Sequence, residues 1–203
     1  MSHERRIVRD GYDAIAEAYT GSREESDERF FGLEATLDSD ARILDAGCGA
    51  GIPVTRELAS DWTVIGLDLS REQLSLARDN VPSASMLQGD MTSLPFLADS
   101  FDALVSFHAV IHLPLADHER VFSEFARVLR PGGRVLLTSG VGAWSGVNPD
   151  WLETGATMRW SFPDRETTLE WLAETGFVIE RAEVVEDSMG SGEWLYVLAH
   201  MGP

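Results

Sequence analysis

At 203 residues, with 44% apolar and 25% charged side chains, the chain has the size and composition of one globular domain with a proper core. Thirty-four acidic residues against sixteen arginines and no lysine give a formal net charge of -18, which repels phosphate backbones, argues against DNA or RNA as a partner, and fits either plain solubility or life at high salt. The single cysteine, Cys48, excludes an intrachain disulfide and fits a reducing compartment; the opening MSHERRIVRDGYD has no apolar signal region and no run reaches the length of a membrane span, so a cytoplasmic location is expected.

In chain order, residues 3–20 read as an amphipathic helix with Ile7, Tyr12, Ile15, Ala16 and Tyr19 on or near one face and Gly11 as a break. A second helical pattern covers residues 27–37 through Phe30, Phe31, Leu33 and Leu37. Residues 41–46 form a first strand, after which Gly47, Gly49 and Gly51 alternate before a helix over 52–60. A second strand over 62–67 ends at Asp68, and Ser70 with Gln73 three residues on is a capping box that opens a helix to about residue 80. A short strand near 84–87 leads to Gly89 and Asp90, and residues 101–107 form a fourth strand, apolar enough to be buried on both faces. A helix over 117–129 turns Val121, Phe122, Phe125, Val128 and Leu129 inward, Pro131, Gly132 and Gly133 stop it, and 134–139 is the fifth strand. Residues 141–162, with Trp144, Trp151 and Trp160, have no clean period and are expected to be a loop or short helical excursion over the same sheet edge. A helix over 165–175 follows, then strands over 177–185 and 193–199, joined by a glycine-rich turn at 188–192 and therefore antiparallel.

Strands alternating with helices predict an α/β, Rossmann-like, doubly wound and mostly parallel sheet with helices on both faces and an antiparallel last strand. Ligands of such sheets bind outside the carboxyl ends of the strands, where strand order reverses. Asp45, Asp68, Asp90 and Phe107 all fall at those ends and converge on one edge. Three carboxylates beside a glycine turn suit a ligand that offers a ribose diol, an amine or amide donors; Asp68, 17 residues after Gly51, is placed for both ribose hydroxyls.

These stretches resemble the motifs of the class I S-adenosylmethionine-dependent methyltransferases of the small-molecule type, similar to the ubiquinone- and menaquinone-biosynthesis-like group. The resemblance runs from about residue 9 to 140. It rests on Asp45-Ala-Gly47-Cys-Gly49-Ala-Gly51, Gly66-Leu-Asp68-Leu-Ser70, Gly89-Asp90-Met91 with Leu94-Pro95-Phe96, the stretch from Phe101-Asp102 to His112, and Glu124 through Gly133. It implies a seven-stranded sheet and a cofactor, S-adenosylmethionine, released as S-adenosylhomocysteine. The implied cofactor contacts are Asp45, Gly47, Cys48, Gly49 and Gly51 at the methionine end, Asp68 at the ribose, Gly89, Asp90 and Met91 in the adenine-reading segment, further contacts from Leu69 and Phe107, and Tyr12 and Tyr19 from an N-terminal helix that closes over the site. One domain spans 1–203: N-terminal closing helices in 1–38, a cofactor-binding core in 39–140, a loop or cap in 141–163, and a helix with a terminal hairpin in 164–203.

Methyl transfer is an in-line displacement whose rate comes largely from holding donor and acceptor in line, and a base is needed only for a protonated acceptor. His108 and His112, four apart after the fourth strand, are the candidate catalytic groups; no third ligand lies near them in sequence, and no metal is expected. Cys48 reads as a small packing residue in the turn. The acceptor is expected among Tyr12, Tyr19, His108, Trp144 and Trp160, with the attacked atom, oxygen or nitrogen, left open. A small-molecule acceptor, no nucleic acid, no membrane and a monomer or homodimer are the expected partners. The alternative is a non-catalytic S-adenosylmethionine-binding sensor or interaction protein. A Tyr and Lys dehydrogenase is excluded by the absence of lysine.

Overall fold

Apolar side chains alternate between two faces along the central strands, and that period of two builds the core. The computed structural model describes residues 1–23, 30–187 and 192–202. Its main sheet has seven strands: β1 (Arg42–Ala46), β2 (Thr63–Asp68), β3 (Ser85–Gln88), β4 (Phe101–Ser106), β5 (Leu129–Gly140), β8 (Phe177–Glu186) and β9 (Glu193–Met201). They lie in the order β3-β2-β1-β4-β5-β9-β8. The first five are parallel and β9 runs antiparallel to both its neighbours, as the sequence predicts. Around the sheet lie α1 (His3–Arg23), α2 (Val54–Leu58), α3 (Arg71–Asn80), α4 (His118–Val128) and α5 (Arg165–Glu174). A two-stranded sheet, β6 (Trp144–Trp151) with β7 (Ala156–Phe162), stands apart from the main one.

Along β1 and β4, Leu44 and Leu104 enter one core cluster with Phe122, Phe125 and Val128 of α4, whereas Ile43, Ala103 and Val105 enter another with Phe30, Leu33, Val54 and Leu58. Strands buried on both faces tolerate no polar alternation, which is why these segments read as continuous apolar runs. Strand order reverses between β1 and β4, and Ser106 Oγ ties the two by donating to the Ala46 carbonyl at 2.8 Å. The crevice at that reversal is where a ligand of an open α/β sheet is expected. No helix among the described residues is long and apolar enough to cross a membrane.

Four expectations need correction. Residues 30–37 hold a 3-10 turn, Glu34–Thr36, rather than a helix; Phe30 and Leu33 are buried without one, and residues 24–29 lie outside the described residues, as do 188–191 of the expected turn. The helix expected over 52–60 is the shorter α2. Residues 141–162 form the antiparallel β6–β7 hairpin, not a loop or helix; its mostly exposed β6 has no need of an alternating pattern. Finally, α1 runs through Gly11 without a break. A Cβ there would stand 2.6 Å from the Thr157 carbonyl oxygen, so the glycine serves the close approach of α1 to β7.

Val121, Phe122, Phe125 and Val128 of α4 are all fully buried in the first core cluster. Phe122 is fully buried, and Phe122→Ala is expected to cost about 3–5 kcal/mol, read as a lowered urea midpoint with an unchanged slope.

Candidate functional site

The loop after β1 turns only because Gly47, Gly49 and Gly51 take φ of +89°, +52° and +77°, a region that disfavours side chains. A Cβ on Gly47 would also run into the Cβ of Ala109. The loop is anchored to β2: the amides of Gly47 and Cys48 donate to the Leu67 carbonyl at 2.7 and 3.2 Å. Asp68, half-buried at the end of β2, completes the anchor by accepting the Gly49 amide on Oδ2 at 2.9 Å and the Ser70 amide on Oδ1 at 2.8 Å. Burial pushes the Asp68 carboxyl up, against the lowering effect of those amides. Each of its oxygens keeps a second lone pair for a ligand hydroxyl.

This arrangement leaves one amide without work. Ser70 caps α3 by accepting the Gln73 amide at 3.1 Å, as the capping box predicts. The return half of the box is taken over by Asp68, which holds the Ser70 amide instead. The Gln73 carboxamide is buried with neither Nε2 nor Oε1 hydrogen-bonded in the structure, and it lines the space beside Gly47 and Gly49. A buried amide without partners costs free energy that a polar ligand would recover.

Asp90 closes the far end. Burial would raise its pKa, but the hydroxyl and amide of Thr92 and the Arg5 guanidinium outweigh it and hold the carboxyl below its usual range. Its Oδ1 accepts from Thr92 N and Oγ1 at 3.0 and 2.7 Å, and its Oδ2 from Arg5 Nη1 at 2.6 Å. Arg5 also donates to Thr92 Oγ1 and lies 3.5 Å from Asp117. The neighbouring segment is fixed by Arg127, which donates to the Leu94 and Phe96 carbonyls at 3.0 and 2.8 Å, and by Glu124, which accepts the Leu94 amide at 2.7 Å.

Helix α1 lies across this cleft, leaving a cavity of about 100 Å³. Beyond Arg5, its Asp13 accepts from Ser70 Oγ at 2.6 Å, and its Glu4 pairs with Arg159 of β7 at 2.7 Å. Next to the cleft a second cavity of about 380 Å³ opens under the β6–β7 hairpin, and Tyr12, Tyr19, His108 and His112 line both.

His112 is buried and bonded at both ring nitrogens. Nδ1 lies 2.7 Å from the Arg159 carbonyl, which can only accept, so Nδ1 carries the hydrogen. Burial lowers its pKa to about 4, with the nearby His108 adding to the effect against the Arg159 hydrogen bond, so the ring is neutral near pH 7 and Nε2 accepts from Tyr12 Oη at 2.8 Å. His108 takes a left-handed conformation, φ +52°, with its amide donating to Thr138 Oγ1 at 2.6 Å and its ring edge against Trp194 at 5.2 Å. No helical turn runs from His108 to His112; the 3-10 turn begins at Val110.

Gly47, Gly49, Asp68, Leu69, Gly89, Asp90, Met91, Phe107, Tyr12 and Tyr19 all line the cleft. Asp45 and Cys48 line a smaller cavity beside it, where Asp45 Oδ2 accepts from Thr55 Oγ1 at 2.6 Å. Burial, then the charges of Asp45 and Asp68, push the Cys48 thiol well up, which keeps it protonated. Gly51 lines neither cavity; its Cα backs onto Val81 and Ala77, a packing role. Trp144 and Trp160 line the larger cavity with Trp151, Phe162 and Trp194. The motifs do not mark Arg5, Gln73 or Trp194 as site residues. Arg5 carries no local signature, and Gln73 had been assigned to its cap.

Residues 44–137 match the family described as Methyltransferase domain. Methyltransferase GfsG of Streptomyces halstedii is 37% identical over 134 residues, 62% of this chain and 45% of that protein. The tRNA (carboxymethyluridine(34)-5-O)-methyltransferase of Arabidopsis thaliana is 28% identical over 170 residues, 83% of this chain and 39% of that protein. The chain thus spans less than half the length of these curated relatives. A crystal structure of an S-adenosylmethionine-dependent methyltransferase from Mesorhizobium loti superposes with a TM-score of 0.65 at 26% identity, covering 83% of this chain and 95% of that one.

The burial of His112 sets a pH dependence. With a folded pKa near 4 against an ordinary 6.5, the unfolded chain binds the extra proton between those values. The associated stability is fully present above pH 6.5 and lost as pH falls toward 4, on the order of 3 kcal/mol. His112→Gln is expected to flatten that part of the profile, read from urea unfolding of both proteins at pH 4.5 and 7.5; parallel profiles would contradict it.

Proposed function

We propose that this chain carries a class I S-adenosylmethionine-dependent methyltransferase domain and methylates a small-molecule acceptor held in the aromatic cavity under the hairpin. The observation that carries the reading is the cleft at the strand-order reversal. There the Asp68 carboxylate, the left-handed glycine loop and the unpartnered Gln73 carboxamide face one space. Such groups fit S-adenosylmethionine. Asp68 takes the ribose hydroxyls, Gly47, Gly49 and Gln73 the methionine end, Leu69, Asp90 and Met91 the adenine side, and Asp45 supports the loop from behind. The cofactor supplies an electrophilic methyl group on a sulfonium.

The chain's own residues then bind, orient and exclude water. Residues 1–38 close the site, 39–140 hold the cofactor, 141–163 cover the acceptor and 164–203 complete the sheet. Helix α1 acts as the closing element, since Arg5, Tyr12 and Asp13 reach across the cleft to Asp90, His112 and Ser70. Tyr12 donates its proton to neutral His112, and its ring borders the larger cavity, where it positions the acceptor. His108, on the wall common to both cavities, contacts the acceptor from the other side. A net charge of -18 disfavours a nucleic-acid acceptor of the kind named for the Arabidopsis relative, and the protonated, buried Cys48 suits a reducing cytoplasm.

Two measurements test this reading. Asp68→Ala should weaken S-adenosylhomocysteine binding by at least about 100-fold in calorimetry; near-parental affinity would sink the cofactor assignment. With an acceptor found by screening for S-adenosylhomocysteine release, Tyr12→Phe should lower kcat about tenfold and leave cofactor affinity within a factor of about two.

A further inference from the structure

The hairpin is tied to the rest of the chain along one edge of β7, the other being paired with β6. The carbonyls of Thr157, Arg159 and Ser161, each two residues from the next, point to the same side of the strand. Among the described residues no second strand pairs with β7 there. Instead the Thr157 carbonyl oxygen would stand 2.6 Å from a Cβ on Gly11 of α1, the Arg159 carbonyl accepts from His112 Nδ1 at 2.7 Å, and the Ser161 carbonyl lies 2.9 Å from His118 Nε2. A helix backbone and two imidazoles take the place of a third strand.

Arg159 supplies two of the links to α1. Its Nη2 donates to Glu4 Oε1 at 2.7 Å, and its carbonyl holds His112, whose Nε2 accepts from Tyr12 Oη at 2.8 Å. Glu4 and Gly11 are seven apart, two helical turns, so they share one stripe of α1, and that stripe meets β7. The adjoining stripe, with Arg5, Val8, Tyr12 and Tyr19, lines the cleft. To lift from the cleft, α1 must either part from β7 or carry the hairpin with it. Arg159 itself is not among the residues that line the cleft or the larger cavity.

Resting on the methyltransferase reading above, we infer that Arg159 is a positioning residue of the cofactor site. By clamping α1 from the hairpin it sets how fast the cofactor enters and leaves, so the element that covers the acceptor also gates the cofactor. A clamp that touches no ligand is made with or without one. It therefore cancels from the affinity and shows in the rates, slowing entry and release alike.

Tritiated S-adenosylhomocysteine tests this on the full chain: calorimetry gives its affinity, and a chase with unlabelled compound gives its release rate. Arg159→Glu and Glu4→Arg each set like charges against one another. Each is expected to speed release about three- to tenfold while affinity stays within a factor of about two. The double variant Glu4→Arg with Arg159→Glu re-forms the pair with its charges exchanged. It should return release to within about twofold of the parent, which damage to folding or packing at either position would not allow. The inference is overturned if neither reversal alters release, if affinity falls in step with it, or if the double variant releases as fast as the single ones. A parent that binds no S-adenosylhomocysteine removes the methyltransferase reading and this inference with it, whereas binding with release unmoved by the reversals removes this inference alone.

Discussion

The carboxylate of Asp68 accepts the amides of Gly49 and Ser70 on its two oxygens, and so joins the end of β2, the glycine loop and the first turn of α3. Neither amide has a partner inside a regular element, because one lies in a left-handed turn and the other at a helix start. A single charged acceptor is the economical way to satisfy both. Everything at the sheet edge is then placed by that choice. The loop cannot drift from β2, α3 starts where the strand ends, and Gln73 is displaced from its capping duty into the cleft.

The surrounding groups extend the same logic of holding backbone by charge. Glu124 and Arg127, three apart on α4, clamp the segment at Leu94 and Phe96 from below, and Asp102 accepts the Arg42 amide at the opposite end of the sheet at 2.6 Å. Beside the cleft, burial first and then the charges of Asp45 and Asp68 keep Cys48 a thiol. The strongly acidic composition is therefore not only a surface property. Several of its carboxylates are structural acceptors for backbone amides, a role that neither arginine nor the missing lysine can fill.

What the sequence made legible divides by the range of the signal. The strands of the main sheet, the glycine turn and the acids at Asp68 and Asp90 were readable because each is written in a few adjacent residues: an apolar run, a punctuation by glycine, an acid at the boundary. Ser70 reads from the sequence as a cap and is one, but only the fold brings Asp68 to the amide on which a capping box would close. Arg5 pairs with Asp90 across 85 positions, a distance over which one sequence carries no local cue. The β6–β7 hairpin escaped because its first strand is mostly exposed and its turn, with Leu152 and Glu153 at φ near +55° and +57°, uses residues that do not announce it. The apolar residues of 30–37 suggest a helix; Phe30 and Leu33 reach the core from the irregular segment ahead of the 3-10 turn, so burial alone does not determine the backbone.

Arg5, Tyr12 and Tyr19 stand at intervals of seven along α1, which is two helical turns each, so they share one face of one continuous rod. Arg5 meets Asp90 at one end of the cleft, while Tyr12 and Tyr19 border the aromatic cavity at the other. A rod moves as a whole. Whatever repositions Arg5 is felt at the tyrosines, and whatever wedges the tyrosines is felt at Arg5. A ligand in either space that shifted this helix would alter affinity in the other, and the factor would be the same in both directions.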